Sequence, residues 1–489
     1  MPEIHALSAG ELAASIAAGE TTSRAALEHY LTRYTRCNGP LNAVVVTDIE
    51  GARAAADAAD AALATGESRG ALHGVPMTIK DTFEVAGLAT VVGEPRLTDH
   101  VSHTDADAVA RLKAAGAIVF GKTNTPRLAQ DVQTYNRIYG TTNNPWDPAR
   151  TPGGSSGGAA AAVAAGITPV ELGSDLAGSI RTPAAWCGIY GHKPSYGLVP
   201  MRGHVPGPPG TMAEPDLCVA GPLARHPRDL SLLLDVIAGP RAIDAAAWQV
   251  RLPRPRMRRV ADFRIATYLE DETAPVAEAV RGPLAQLVTR LGTAGAELSA
   301  LGDLPGGFEP GYDLYDRLLN ALVGGGLPDK LYNKARRGAA LLSVLRRTER
   351  GTLGGFVSRA TGSHRAWVAD HEARARLRAD WHALFAAHDV LLMPAVGVPA
   401  IRHQQAGNLF DRTIDIDGRD KPYSQLFRWI APATLAGLPA TVAPIGRTAE
   451  GLPIAVQIVG DYGHDHTTIA FADALRELGL TADRPPGYD

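Results

Sequence analysis

Two serines of the sequence lie in glycine-rich segments, Ser155 in TPGGSSGG and Ser179 in GSDLAGSIR, 24 positions apart. Glycines beside a serine give the backbone dihedral angles that other residues avoid, so successive N–H groups can point at one oxygen atom. Such N–H groups stabilise the oxyanion that forms when a hydroxyl attacks a carbonyl group. The two segments therefore indicate nucleophilic chemistry at a serine hydroxyl.

Lys80 is the candidate base for this chemistry, because a serine hydroxyl needs a proton acceptor within hydrogen-bond reach. It comes at the end of the short apolar strand predicted in GVPMTIKD. Burial lowers the pKa of a lysine, and a neutral lysine is a competent general base. The histidines lack triad or metal-ligand spacing, so we assign no catalytic role to His192, His204 or His403.

Each motif alone also has a simpler interpretation. GGSSGG by itself is more typical of a flexible linker or of a phosphate-binding loop. A linker would not lead into the compact small-residue helix predicted at 158–165, and the segment lacks the GxxxxGK[ST] pattern of a phosphate loop. Lys80 alone would be read as a solvated lysine at the end of a strand. Only the combination of Lys80 with residues 151–195 favours a catalytic site.

Taken together, GVPMTIKD and residues 151–195 resemble the amidase signature family. GSDLAGSIR is similar to the family pattern G(S/T)D(I/T)GGS(I/V)R, and GGSSGG matches its second serine motif. The resemblance extends over most of the chain and is weak only at about 240–430. It includes GKTN (121–124), GTTNNPWDP (140–148), CGIYGHKPS (187–195), GPLAR (221–225) and the C-terminal stretch 435–460.

The resemblance implies a catalytic triad of Ser179, Ser155 and Lys80. Ser179 would attack the carbonyl carbon, and Ser155 would relay its proton to a neutral Lys80. The resemblance also implies a cis peptide bond between Gly154 and Ser155. The oxyanion hole would consist of backbone N–H groups, those of Leu176, Ala177, Gly178 and Ser179.

Residues around the triad are expected to have supporting roles. Asp175 and Arg181 are expected to form an ion pair that holds the nucleophile loop, and Ser156 to make hydrogen bonds within its own loop. The sequence has Ala177 where the family has glycine, and a positive φ there would strain alanine by roughly 1 kcal/mol or more. The substrate pocket is expected to include Ala129, Gln130 and Asp131.

Apolar strands alternate with helical patterns along the chain, which predicts an α/β fold. We expect one large domain over residues 1–489, with a central mixed, twisted β-sheet covered by helices on both faces. Its parts are a helical N-terminal part (1–70), the signature core (71–235) and a mostly helical variable region near the substrate pocket (313–385). The Pro- and Arg-rich stretch 240–260 reads as a surface connection.

The individual elements follow from the same periodicities. Helical spacing is present in residues 8–36, 51–65, 105–115 and 275–293. Short apolar runs predict strands at Val75–Ile79, Ala117–Phe120, Phe263–Tyr268, Glu297–Leu301, Val390–Pro394, Ala440–Ile445 and Ile454–Val459.

Composition excludes several classes of function. A formal net charge of -3 over 489 residues gives no electrostatic footprint for nucleic acid. Three scattered cysteines form neither a disulfide framework nor a zinc motif, so we expect no metal and no cofactor. The sequence shows neither a signal peptide nor an apolar run of the ~18 residues that a membrane span requires. We expect a cytoplasmic enzyme whose partner is a small amide-type substrate, with a homodimer left open.

The function expected is hydrolysis of a carboxamide, anilide or carbamate C–N bond, with ester activity left open. One alternative is the glutaminase-type subunit of a tRNA-dependent amidotransferase, which resembles the same family. A catalytically dead binding protein is a second alternative, which the complete triad disfavours. The basic stretch 330–350, with seven Lys/Arg and one Glu, predicts a solvated helix face rather than a lid or a membrane contact.

Overall fold

The structure is a computed structural model that describes residues 3–205, 207–344 and 348–488. The strands within them are β1 (Val44–Thr47), β2 (Pro76–Lys80), β3 (Ile118–Thr123), β4 (Tyr135–Asn136), β5 (Gly140–Thr141), β6 (Val170–Asp175), β7 (Tyr190–Lys193), β8 (Val219–Ala224), β9 (Arg264–Thr267), β10 (Glu297–Ala300), β11 (Val390–Pro394), β12 (Thr413–Ile416), β13 (Arg419–Pro422), β14 (Ala440–Arg447) and β15 (Pro453–Val459).

Eleven of these strands form one mixed sheet in the order β1-β3-β2-β6-β8-β7-β14-β15-β11-β9-β10. Strand β2 is parallel to both of its neighbours, β3 and β6, whereas β6 is antiparallel to β8. At the other end, β9 is parallel to β10 and β11. The remaining strands form two small hairpins, β4-β5 and β12-β13. The predicted mixed sheet is therefore confirmed, and it places the end of β2 beside the end of β6.

Helices cover both faces of this sheet, as predicted. They are α1 (Ala9–Ala17), α2 (Ser23–Leu41), α3 (Ile49–Ala64), α4 (Asp107–Ala114), α5 (Gly157–Ala164), α6 (Arg181–Cys187), α7 (Pro227–Ile237), α8 (Glu278–Thr293), α9 (Phe308–Gly325), α10 (Asp329–Val344), α11 (Leu353–Ala360), α12 (His364–Ala387), α13 (Ala431–Leu435) and α14 (Asp465–Ala474).

The N-terminal part differs from the prediction in two respects. The helical pattern at 8–36 is two helices, because Gly19 has φ +72° after α1 and the Thr22 side chain accepts a hydrogen bond from Ala25 N–H to begin α2. Residues 1–70 are also not purely helical. The β-branched run Val44–Thr47 forms β1, which pairs antiparallel with β3 and so joins this part to the sheet.

Helix α5 packs inside the molecule, and all of its residues are buried. Its small residues make this possible: a Cβ at Gly158 would lie 2.5 Å from the Asn124 backbone nitrogen and 2.8 Å from the Ala43 carbonyl oxygen. Close packing of this kind fixes the loop that precedes the helix. That loop carries Ser155.

Two long stretches of the second half were also predicted. Residues 240–260 run between α7 and β9 without a regular α-helix or strand, as expected of a connection. Helices α9 to α12 occupy the region 313–385. Most of the basic stretch lies on α10, where Leu331, Leu341 and Val344 are exposed. Residues 345–347 of the basic stretch lie outside the described residues.

Candidate functional site

Lys80 is the last residue of β2 and is completely buried. Its ammonium nitrogen Nζ donates hydrogen bonds to Ser155 Oγ at 2.7 Å and to Ser174 Oγ at 3.0 Å. Burial lowers the pKa of Lys80 from 10.5 to about 7, although the thiol of Cys218 and the carboxyls of Asp175 and Glu171 act in the opposite direction. A substantial fraction of the amine is therefore neutral at neutral pH.

Ser155 lies near the end of the loop that leads into α5, and this loop is held against the Ser179 turn. The Gly154–Ser155 peptide bond is cis, as the family resemblance implied. The next residue, Ser156, donates its backbone N–H to the Ser179 carbonyl oxygen at 3.1 Å and its hydroxyl to the Ser174 carbonyl oxygen at 3.2 Å. Ser156 thus bonds to the Ser179 turn and to β6 rather than within its own loop as expected, and these bonds hold the segments of the two candidate serines together.

The turn that carries Ser179 is built around the Asp175 carboxylate at the end of β6. This carboxylate accepts hydrogen bonds from the backbone N–H groups of Gly178 and Ile180, each at 3.0 Å. It also forms an ion pair with Arg181 at 2.9 Å, in which both side chains are fully buried. Burial alone would raise the pKa of Asp175, but the Arg181 guanidinium and the backbone donors lower it to about 2.

Arg181 ties this turn to the C-terminal part of the chain. Its guanidinium donates to the Ile430 carbonyl oxygen at 2.8 Å, to Gln457 Oε1 at 2.7 Å and to Thr434 Oγ1 at 2.6 Å. A buried charge with a carboxylate partner and three further acceptors is well compensated. The ion pair therefore holds the Ser179 turn against the C-terminal part of the chain.

One of the four backbone N–H groups predicted for an oxyanion hole already has a hydrogen-bond partner in the structure. The Gly178 N–H points at Asp175, which leaves the backbone N–H groups of Leu176, Ala177 and Ser179 as candidate donors. Among the described residues, these three groups have no hydrogen-bond partner. Gly178 has φ +89°, whereas Ala177 is not among the non-glycine residues with positive φ. The strain considered for Ala177 is therefore absent.

The structure joins the three candidate catalytic residues only in part. Lys80 and Ser155 are in direct contact, and Ser179 is half-exposed, as a nucleophile that meets a substrate must be. Within the described part of the chain, no hydrogen bond joins the two serine hydroxyls. Catalytic hydrogen bonds are often long without substrate and shorten when it binds.

Ser174 was not predicted as a site residue, although its hydroxyl accepts a hydrogen bond from Lys80. It is buried near the end of β6, the strand next to β2 in the sheet. The available signal was its place in GSDLAGSIR, on a strand parallel to the one that ends at Lys80. A serine five positions before the nucleophile carries no chemical signal of its own, so the sequence alone does not single it out.

The three predicted pocket residues lie on a loop beside Ser155. A Cβ at Gly154 would lie 2.6 Å from the Asp131 carbonyl oxygen, so the loop touches the residue before Ser155. Ala129 has φ +56°. Gln130 and Asp131, but not Ala129, line a cavity of about 580 Å³. None of the residues that line this cavity belongs to the Lys80, Ser155 and Ser179 group.

The Asp131 carboxylate is engaged by other protein groups. Arg412 donates to it at 2.7 Å, the Tyr423 hydroxyl at 2.8 Å and the Tyr135 hydroxyl at 3.1 Å. Asp131 thus fixes the cavity wall rather than offering a free carboxylate.

The remaining polar candidates have structural environments. His192 is buried between Thr441 Oγ1 at 2.9 Å and Asp465 Oδ1 at 3.1 Å, and the His204 ring packs on Phe83. Cys37, Cys187 and Cys218 are buried free thiols. In the described residues, no group of three or more His, Cys, Asp or Glu side chains could hold a metal ion. No described helix has the length and apolarity to cross a membrane.

The chain is similar to known proteins over nearly its whole length. The Amidase family matches residues 25–469. A glutamyl-tRNA(Gln) amidotransferase subunit of Roseiflexus castenholzii is 33% identical over 98% of this chain and 97% of its own. The putative amidase AmiB2 of Mycobacterium bovis is 34% identical over 96% of both chains.

The fold of this chain is also similar to that of a solved structure. A bacterial aryl acylamidase described as belonging to the amidase signature enzymes matches with a TM-score of 0.78 and 26% identity, over 97% of this chain and 96% of its own. Sequence, fold and the arrangement around Lys80 agree, and the chain belongs to the amidase signature family of amide-bond hydrolases.

Proposed function

We propose that this protein hydrolyses a carboxamide or a related anilide or carbamate through an acyl-enzyme on Ser179. Ser179 Oγ attacks the carbonyl carbon, and its proton passes to Ser155 while Ser155 gives its own proton to neutral Lys80. The negative oxygen of the tetrahedral intermediate accepts hydrogen bonds from the free backbone N–H groups of the Ser179 turn. Such electrostatic stabilisation is commonly the largest contribution to catalysis of acyl transfer.

The same relay then runs in reverse to release the amine, and it serves again when water attacks the acyl-enzyme. The proton on Lys80 returns through Ser155 to the leaving nitrogen, the C–N bond breaks, and the amine departs. Water then attacks the Ser179 ester and gives a proton back along the same path. Protonation of Ser179 Oγ releases the carboxylic acid product, or the alkyl carbonic acid when the substrate is a carbamate, and restores the free enzyme.

One observation carries this proposal, namely the hydrogen bond of 2.7 Å between Lys80 Nζ and Ser155 Oγ. It joins a buried amine, whose pKa is lowered to about 7, to a hydroxyl that lies on the same backbone network as Ser179. A solvated lysine at a strand end would keep its ordinary pKa and would lack this partner. A catalytically dead binding protein would have no need of the arrangement.

A second candidate function is the glutaminase-type subunit of a tRNA-dependent amidotransferase. It is favoured by the full-length similarity to proteins named as subunits of glutamyl-tRNA(Gln) amidotransferase. Similarity to a putative amidase is equally strong, at 34% identity. The two candidates share the proposed triad and differ in the acyl donor and in the need for partner subunits.

A substrate panel tests the proposed hydrolysis directly. The purified chain is assayed on an aliphatic amide, an aryl amide, an anilide, a carbamate and L-glutamine, with kcat/KM and product identity recorded for each. We expect turnover of at least one of the first four, and a loss of on the order of a thousandfold or more in Ser179→Ala. Ser15→Ala, which changes a serine on α1 remote in sequence from the triad, is the matched control. Unchanged turnover in Ser179→Ala would overturn the proposal.

A further inference from the structure

The cavity beside the Ser155 loop has an uneven charge distribution. Its charged lining residues are Glu94, Asp131, Arg127, Arg137 and Arg412, and Gln130 adds an exposed amide. We call it the arginine cavity. Its volume of about 580 Å³ is sufficient for a small organic acid or part of a larger substrate.

Both carboxylates of the arginine cavity are already neutralised. Glu94 accepts hydrogen bonds from Arg96 at 2.9 Å and from Arg127 at 2.7 Å. These bonds hold the pKa of Glu94 at about 2, so it stays ionised and paired. Asp131 is paired with Arg412 at 2.7 Å, and both side chains are buried. Neither carboxylate is free to bind a cationic ligand.

Arg137 is the charged residue of the cavity that has no partner of its own. Its side chain is exposed, and it makes no hydrogen bond or ion pair with any residue in the described ranges. With Glu94 held by two arginines and Asp131 by one, the cavity keeps a surplus of positive charge. A guanidinium binds a carboxylate through two parallel hydrogen bonds, which makes arginine well suited to this ligand.

Backbone strain links the arginine cavity to the candidate catalytic group. Val92, Leu128 and Ala129 have φ of +51°, +51° and +56°, and each is next to a residue that lines the cavity. Asp81, which follows Lys80, accepts the Val92 N–H at 2.8 Å, and the Val92 carbonyl oxygen accepts the Leu128 N–H at 2.8 Å. Strained residues of this kind are retained mainly where function requires their geometry.

We propose that the arginine cavity binds a carboxylate carried by the amide substrate, and that Arg137 is the residue that selects for it. This inference rests on the proposed amide hydrolysis and adds a substrate class, amides that bear a free carboxylate. The loop 129–131 connects the two sites, because its Asp131 carbonyl oxygen lies against Gly154 and its Gln130 and Asp131 side chains line the cavity. A substrate of this class must be long enough to extend from Ser179 past this loop into the cavity.

The test uses matched neutral and acidic substrates of increasing length. Monoamides of straight-chain dicarboxylic acids carry the carboxylate on the acyl side, and N-acetyl ω-amino acids carry it on the amine side. Each is compared with the neutral amide of equal length by kcat/KM. In one of the two series, and at one chain length, we expect kcat/KM for the acidic substrate to exceed that for the neutral amide by about tenfold or more. Arg137→Gln should remove the preference and leave the neutral amide within about twofold of wild type.

Two further variants make the outcome unambiguous. Arg137→Glu should reverse the preference towards a substrate with a terminal ammonium group, and Arg251→Gln, which changes an exposed arginine of the 240–260 connection, should leave it unchanged. Equal kcat/KM for acid and neutral substrates at every length, or a preference that survives in Arg137→Gln, would overturn the inference. Turnover of neutral amides in the same assay shows that such a failure concerns the cavity and not amide hydrolysis itself.

Discussion

At the scale of single residues, the site depends on an amine that burial keeps close to its neutral form. Lys80 is fully buried and has hydroxyl partners, whereas the arginines of the same region are paired with carboxylates. A desolvated lysine without a direct carboxylate partner loses its proton more easily than one in water. This difference in environment suits Lys80 to act as a base, whereas the paired arginines remain structural cations.

The pH dependence of kcat/KM should reflect this lysine. Because the neutral amine is the active form and its pKa is lowered to about 7, kcat/KM should rise as pH increases through about 7 and level off above it. Lys80→Arg should lose about a hundredfold or more, since guanidinium stays protonated across this range. A wild-type kcat/KM with an unshifted pH profile in Lys80→Arg would show that the base lies elsewhere.

Ser174 offers a finer test of the same amine. Lys80 donates a hydrogen bond to Ser174 Oγ, and losing this acceptor disfavours the ammonium form. In Ser174→Ala the acidic limb of the pH profile should move to lower pH. The kcat/KM plateau should fall by roughly fivefold, as expected for the loss of one hydrogen bond of about 1 kcal/mol. Ser174→Thr should restore both the position of the acidic limb and the plateau value of kcat/KM. If the acidic limb of the pH profile does not move in Ser174→Ala, the Ser174 hydroxyl does not affect the protonation of Lys80.

At the scale of elements, the Ser179 turn is the part that the buried ion pair holds in place. The Asp175 carboxylate binds two backbone N–H groups of the turn, and Arg181 connects it to residues of the C-terminal half. Removing one partner of a buried ion pair leaves an uncompensated charge and commonly costs about 3–5 kcal/mol. Substitutions in the Ser179 turn should therefore lower the stability of the protein more than substitutions in the other elements of the site.

Asp175→Asn should lower the free energy of unfolding by about 3 kcal/mol or more at pH 7, measured by urea denaturation. The pKa of Asp175 is about 2 in the folded state, below its unfolded value of ~3.9. Its stabilisation is thus complete above pH ~4 and is lost as the pH falls towards 2. Asp57→Asn, which breaks an exposed pair with Arg24, should cost less than about 1 kcal/mol. Equal losses in the two variants would contradict the assigned role of Asp175.

Elements were predictable where their residue pattern was simple. Apolar runs such as Val390–Pro394 were found at the correct place, since a strand buried on both faces has this composition. Strand β6 was not predicted, because VELGSD combines an acid, a glycine and a serine within a buried strand. Burial raises the pKa of its Glu171 to about 8, and this residue accepts a hydrogen bond from Thr123. Strand β6 thus departs from the apolar pattern that predicted strands such as β2 and β11.

The candidate site was predictable to the extent that its motifs are local. Lys80, Ser155 and Ser179 follow from short segments, and their surroundings were inferred from resemblance. The Lys80–Ser174 contact and the use of the Gly178 N–H by Asp175 depend on which strands are neighbours and how a turn closes. Such three-dimensional details are set by tertiary packing, which one sequence does not encode as a local pattern.

At the scale of the whole molecule, the site is assembled by one continuous sheet. Its first strand, β1, comes from the N-terminal part, and Arg181 contacts Ile430 and Gln457 in the C-terminal half. All of these contacts are made within a single chain. The residues proposed for the chemistry all belong to this chain.

The purified chain alone should accordingly hydrolyse a small amide, without tRNA or partner subunits. The measurement is kcat/KM on the best amide of the panel, for material shown by mass spectrometry to contain this chain only. Activity that appears only after partner subunits are added would favour the amidotransferase role instead. In that case L-glutamine should be the preferred donor, which the same assay would detect.

The most direct test of the central claim is the site of covalent modification by a serine-directed fluorophosphonate. Trypsin releases residues 151–181 as one peptide that contains both Ser155 and Ser179, so fragment ions must distinguish them. The account predicts a single adduct on Ser179, no adduct in Ser179→Ala, and much slower labelling in Lys80→Ala. An adduct on Ser155 or elsewhere, or undiminished labelling of Ser179→Ala, would contradict it.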